Sequence, residues 1–226
     1  MNSLRLITVI LLNFYLFSLQ SQEIKNHNNF TVVIDPGHGG KDPGAVSNGF
    51  YEKIIALNTS LKLGQLLQDN GINVIYTRDK DKFVNLLERA NIANKSDAQL
   101  FISIHCNSHS SQAYGAETFV LGLHANQRNF EVAKKENSVI FFEDDYESAY
   151  AGFDPNNPES VIGLTLMQEE YLDQSIIAAS YIQNGFVNRL NRKNRNIKQA
   201  GFIVLKYTYM PSVLTVSYTH LTLPTT

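Results

Sequence analysis

The chain has 226 residues, 43% of them hydrophobic, and a formal net charge of -2, which is the composition of an ordinary folded domain with one sizeable core. The near-neutral balance excludes a general nucleic-acid binder, which presents a strongly basic surface. The single cysteine, Cys106, excludes an internal disulfide, so the core alone must hold the fold.

Residues 1–22 read as a secretory signal peptide: Arg5 supplies the positive start, Leu6 to Phe17 the apolar stretch, and Ser18 to Ser21 small or polar residues near a cleavage point. The apolar run is short and interrupted by Asn13, so no stable membrane span is expected; an uncleaved anchor is the alternative. The expected location is periplasmic or secreted. A polar connector then leads into a single domain expected over residues 30–214.

Val32, Val33 and Ile34 form a β-branched run suited to a buried strand. It stops at Asp35-Pro36-Gly37, and His38 follows among Gly37, Gly39 and Gly40. An imidazole at such a bare strand end stands where open α/β sheets bind ligands; the alternative is a turn histidine without a role. Glu52 opens a helix marked by Ile55, Leu63, Leu66 and Leu67 and stopped by Asn70-Gly71. Asn73 to Thr77 reads as a strand and Val84 to Asn94 as a helix. Leu100 to His105 and Gly115 to Leu121 are further strands.

Asn126 to Ile140 reads as helical, and the stretch FFEDDYESAYAGFDPNNPES after it mixes acid, aromatic, Gly and Pro. Such an irregular segment is usually functional or mobile. Leu164, Met167, Tyr171, Ala178, Ile182, Phe186 and Leu190 mark a long amphipathic helix ending before Lys198. Arg189, Arg192, Lys193, Arg195 and Lys198 are then expected to be its cation-rich end. Gly201 to Leu205 and Ser212 to Leu214 are the last strand candidates. The alternation predicts an α/β fold: a mainly parallel or mixed sheet of about six strands, flanked by helices on both faces.

Three residues stand at the ends of predicted elements: His38, Glu52 and His105. Two histidines and one carboxylate make a catalytic zinc set with the fourth tetrahedral position left open. Strand alternation puts Ser103 and His105 on one face and Cys106 on the other, which disfavours a Cys–His nucleophile pair. Arg78 and Arg89, beside Asp79, Asp81 and Glu88, read as ion pairs fixing elements. Glu117 and His109 read as structural.

The segments VVIDPGHGGKDPGA, TRDKD, ERANIAN, FISIHCN and AGFIVLKYTYMPSVL, with Glu52 fourteen residues after His38, closely resemble the zinc-dependent N-acetylmuramoyl-L-alanine amidases. The resemblance runs in order across almost the whole chain after the leader. It implies a twisted, mainly parallel sheet and one Zn2+ bound by His38, Glu52 and His105. It also implies hydrolysis of the amide between N-acetylmuramic acid and L-alanine in peptidoglycan, in cell-wall remodelling and daughter-cell separation.

The family continues its last strand as a VLVE-like pattern whose Glu is the catalytic acid/base. Here that position holds Val216, so no catalytic carboxylate is present at the place the family uses. The tail VSYTHLTLPTT matches the product of one reading frame of a transposon-based sequencing adaptor. Residues 216–226 are therefore expected to be non-native, with the natural chain continuing beyond Leu214, and His220 is not counted as a ligand. The region at about 124–173 resembles a regulatory insertion in which a helix covers the zinc site until a LytM-domain activator draws it aside. On that basis Glu143, Asp144, Asp145 or Glu147 is expected to offer the inhibitory fourth ligand; the alternative is a solvated acidic loop. The rival reading of the whole is a non-catalytic zinc- or peptidoglycan-binding module, with zinc carboxypeptidase-like cleavage as a third.

Overall fold

Eight short strands form two sheets among the described residues, which in this computed structural model are 30–47, 49–106, 114–123, 127–150, 153–157 and 169–218. The signal segment, His109, His220, Leu164, Met167 and the tail beyond Tyr218 lie outside them. The main sheet contains β1 (Thr31–Pro36), β4 (Asn73–Tyr76), β5 (Leu100–His105), β6 (Gly115–Leu121), β7 (Asn194–Ala200) and β8 (Ser212–Tyr218), in the order β4-β1-β5-β8-β6-β7. β2 (Val46–Ser47) and β3 (Phe50–Tyr51) form a small antiparallel pair beside it. The first four strands across the main sheet run parallel; β6 is antiparallel to β8, and β7 is parallel to β6.

Alternation along these strands divides the core in two. Val33, Phe101, Phe119, Leu214 and Val216 face one side. There they meet α2 (Leu86–Asn94), α3 (Gln127–Asn137) and α6 (Ile203–Lys206) through Ala93, Ala133 and Val204. Val32, Ile34, Ile102, Val120 and Val213 face the other side. They pack on α1 (Glu52–Asp69) and, beyond the one-turn α4 (Tyr146–Ala149), on α5 (Glu169–Asn184), through Leu63, Leu67, Leu172 and Ala179. Helices thus cover both faces of a mixed six-stranded sheet, as the sequence pattern predicts.

Element ends follow local chemistry. α1 opens on Glu52, and Gly71 behind it takes a φ of 77°, a value glycine adopts without a Cβ penalty. α2 starts two residues later than the expected Val84, because the Asn85 side chain accepts the Glu88 N–H at 2.7 Å and caps the helix.

The C-terminal third corrects two expectations. Of the cation-rich stretch only Arg189 closes a helical segment: α5 stops at Asn184, a π turn covers Gly185–Arg189, and Arg195 and Lys198 lie on β7. The reason lies on β6, where the Glu117 side chain is wholly buried and ion-paired with Arg195 and Lys198 of β7 and Arg128 of α3. Those cations are held along a sheet edge by a carboxylate far away in sequence. Gly201 to Leu205, expected as a strand, contributes α6 instead; Phe202 to Leu205 are all buried, and a short run buried throughout fits either state. β8 also runs past Leu214, pairing Thr215 with Ile104 and Val216 with His105.

One polar cluster lies inside this apolar frame. Asp35 on β1 accepts hydrogen bonds from Thr77, from Arg89 Nη1 at 2.8 Å and from Ser103 at 2.7 Å. Asp35 and Arg89 are 1% and 2% exposed, so the pair is shielded from solvent and each charge depends on the other. Asp35→Ala should lower the unfolding free energy by about 3–5 kcal/mol in urea denaturation, the range for stranding one partner of a buried pair.

Candidate metal centre

The site is built at the C-terminal ends of β1 and β5. After Pro36 the chain enters positive φ at His38 (60°), Gly39 (129°) and Gly40 (56°). Reciprocal backbone hydrogen bonds between Gly39 and Asp42, at 2.9 and 3.1 Å, close the turn. This closure brings Asp42 Oδ2 within 2.7 Å of His38 Nδ1 in a buried contact. The carboxylate accepts a hydrogen bond from Nδ1–H, which leaves the Nε2 lone pair facing inward, the arrangement that orients metal-ligating histidines.

Glu52, at the first turn of α1, is fixed from both sides. Its Oε2 accepts the Ala45 N–H at 2.8 Å and its Oε1 accepts the Cys106 N–H at 2.9 Å. His105 ends β5, and its ring meets that of His38 edge-on with centroids 4.8 Å apart. His38, Glu52 and His105 are therefore brought together, and α3 adds a fourth group, Glu136. One ligand atom from each lies within 4.8 Å of every other, and all four residues are buried.

The separations are informative. His38 Nε2 lies 3.2 Å from both Glu52 Oε1 and Glu136 Oε2. His105 Nδ1 lies 3.3 Å from Glu52 Oε1, 3.0 Å from Glu136 Oε2 and 3.2 Å from His38 Nε2. A tetrahedron with metal–ligand distances of about 2.0–2.1 Å has edges of about 3.3 Å, so five of the six edges already match. Both carboxylate oxygens of Glu136 are buried and make no hydrogen bond of regular geometry, although Oε2 stands 3.0–3.2 Å from the two imidazoles. Orphaned oxygens facing two imidazoles and a second carboxylate are what a bound cation would satisfy, and two nitrogens with two oxygens suit zinc.

The electrostatics agree. Burial alone would lower the His38 pKa, but Glu52, Asp42 and Glu136 outweigh it and raise the value well above the usual histidine range. His105 is raised likewise, burial being overcome by Glu136 and Glu52. Burial would raise both glutamates, yet the imidazoles hold Glu52 and Glu136 below the ordinary carboxylate range. Without an ion, the site favours protons on its histidines.

The acids expected to supply the fourth ligand stand elsewhere. Glu143 accepts from the Tyr150 hydroxyl at 2.9 Å and from Leu86 N at 3.3 Å. Glu147 accepts from the Tyr146 hydroxyl, and Asp144, Asp145 and Glu147 are exposed. Glu136 takes the inward place because α3 buries Asn129, Phe130, Ala133, Glu136 and Asn137 along one stripe. A carboxylate on the stripe shared with Phe130 and Ala133 was the available sequence signal. Val216 is the register partner of His105 on the adjacent parallel strand and faces the same core, so the position expected to carry the catalytic Glu borders the centre. Cys106 lies across the sheet, with burial pushing its thiol up to about 12.

Two glycines keep the centre open. A Cβ at Gly37 would lie 2.5 Å from the His105 ring, and one at Gly44 would lie 2.6 Å from His38 Cδ2. Gly37→Ala should therefore weaken zinc binding by at least about tenfold, measured by chelator competition, by displacing a ligand ring.

The sequence profile described as N-acetylmuramoyl-L-alanine amidase matches residues 32–218. The chain is 34% identical over 184 residues to YqiI of Bacillus subtilis (strain 168), described as an uncharacterized protein, covering 81% of this chain and 67% of YqiI. It is 32% identical over 195 residues to the N-acetylmuramoyl-L-alanine amidase AmiA of Escherichia coli (strain K12), covering 84% of this chain and 65% of AmiA. The chain thus matches about two thirds of the length of these relatives. The solved structure of the amidase AmiC2 of Nostoc punctiforme aligns with a TM-score of 0.55 at 27% identity, over 82% of this chain and 77% of that one. With a profile match from β1 to β8, the chain belongs to the N-acetylmuramoyl-L-alanine amidase family.

Proposed function

We propose that this chain is a zinc-dependent amidase domain for peptidoglycan, in a closed state in which Glu136 occupies the position that water or substrate would need. The convergence of four buried donor atoms at tetrahedral spacing carries this reading. His38, Glu52, His105 and Glu136 would hold the ion, and Asp42 fixes the His38 tautomer. Zinc there would supply Lewis-acid polarisation of the amide carbonyl between N-acetylmuramic acid and L-alanine, and a water of lowered pKa. A fourth protein ligand makes a zinc site closed, whereas catalytic sites keep one position free. Moving α3 is therefore the step that would open the site.

The attachments of α3 suit such a movement. Asn137, next to Glu136, donates to Gly201 O at 2.7 Å and accepts from Ile203 N at 2.9 Å. Lys41 holds the following turn through Phe142 O. These polar bonds at its C-terminal end can exchange for bonds to a partner at little net cost, while the apolar contacts of Phe130 and Ala133 would need cover from that partner. A LytM-domain activator that draws α3 aside during daughter-cell separation fits this arrangement, as does export to the periplasm by the N-terminal segment.

Val216 favours a second reading, a zinc- or peptidoglycan-binding module without turnover. Position 216 lies beside His105, where a carboxylate could serve as general base, and valine cannot move a proton. Val216→Glu combined with Glu136→Ala should release free stem peptides from purified sacculi, detected by mass spectrometry. The unaltered chain should fall short of that rate by about 10²–10⁴-fold, the usual contribution of a general base. Shortened stem peptides would instead indicate carboxypeptidase chemistry. Sacculus binding with no release by any variant would leave the module reading standing.

A further inference from the structure

The geometry points to Arg78 and Arg89 as positioning residues for the metal ligands, a paired guanidinium cradle that sets the spacing of His38, Glu52 and His105; this rests on the metal reading above. Both arginines are almost wholly buried, 1% and 2% exposed, directly behind the His38 loop. Arg78 Nε and Arg89 Nη1 both donate to Pro36 O, at 2.9 and 2.8 Å. Arg78 Nη2 donates to Gly37 O at 2.7 Å, and Arg89 Nη2 donates to His38 O at 2.8 Å. Three consecutive carbonyls are thus gripped where His38 adopts a φ of 60°, a conformation that a non-glycine residue keeps only when its surroundings enforce it.

The cradle also reaches the other two ligands. Arg78 Nη2, the nitrogen that holds Gly37 O, donates to Lys53 O at 2.8 Å, one residue beyond Glu52. A single nitrogen therefore ties the His38 loop to the start of α1. Arg89 Nη1 donates to Asp35, whose other oxygen accepts from Ser103, two residues before His105 on β5. Ion pairing alone does not describe this arrangement: most of the bonds end on backbone carbonyls of ligand-bearing segments. The planar fork of arginine can bridge several acceptors at fixed angles, which a lysine ammonium on a flexible stem cannot reproduce.

The test uses the full chain with Arg78→Lys, Arg89→Lys and the milder Ser103→Ala, each checked for native near-UV circular dichroism and cooperative melting. Zinc affinity is read by chelator competition, and ligand geometry by the visible absorption of the Co2+-loaded protein. The expected result is a 10–100-fold loss of zinc affinity in the lysine variants, the range for partners that orient metal ligands, with an altered Co2+ spectrum. Ser103→Ala, which removes one hydrogen bond and keeps both arginines, should lose about fivefold. If the lysine variants do not fold, Ser103→Ala decides alone: a weakened affinity supports the cradle and an unchanged one overturns it. Folded lysine variants with unaltered zinc affinity and Co2+ spectrum would overturn this inference while leaving the metal reading intact. Absence of zinc binding by the unaltered chain would overturn both.

Discussion

Two carboxylates and two imidazoles buried within hydrogen-bonding range of one another form the constraint around which this molecule is arranged. Glu52 and Glu136 both face the space between His38 and His105. At an effective dielectric of 20, unit charges 4 Å apart repel by about 4 kcal/mol, so two carboxylates do not share such a space without positive charge. The same carboxylates raise the pKa of both histidines, so protons are one way to offset their charge. A divalent ion answers the same need through all four lone pairs at once and releases those protons on binding.

The sheet makes this crowding attainable. β1 and β5 are adjacent and parallel, so the residues after both strands emerge at one edge. His38 lies just beyond β1 and His105 ends β5. α1 begins at Glu52 beside the same edge, and the backbone N–H groups of Ala45 and Cys106 fix its carboxylate. Apolar packing on both faces holds the strand ends in place, while buried arginines stabilise the strained loop between β1 and Asp42. Burial and polar satisfaction are divided between two layers: an apolar core under the sheet faces, and a hydrogen-bonded polar cluster behind His38 and His105.

α3 brings the fourth carboxylate to the site. Its inward stripe carries Glu136 among apolar neighbours, and its C-terminal attachment runs through the amide of Asn137. Val216, the position at which the family resemblance leads one to expect a Glu, is paired with His105 on the neighbouring strand.

By itself the sequence determined the alternating elements, the strand-end positions of His38 and His105, and the opening of α1 by Glu52. These follow from short-range rules: β-branched runs, glycine turns and helix starts act over a few residues. Only the tertiary structure decided that Asp42 contacts His38, that Glu136 rather than Glu143 joins His38, Glu52 and His105, and that Arg78 and Arg89 serve backbone carbonyls, with Arg89 also ion-paired to Asp35. It also decided that residues 194–200 form a strand, because Glu117 on β6 draws Arg195 and Lys198 to that edge. In each case the partner lies far along the chain or depends on how a helix docks. Local propensity carries no information about which distant charge a side chain will meet.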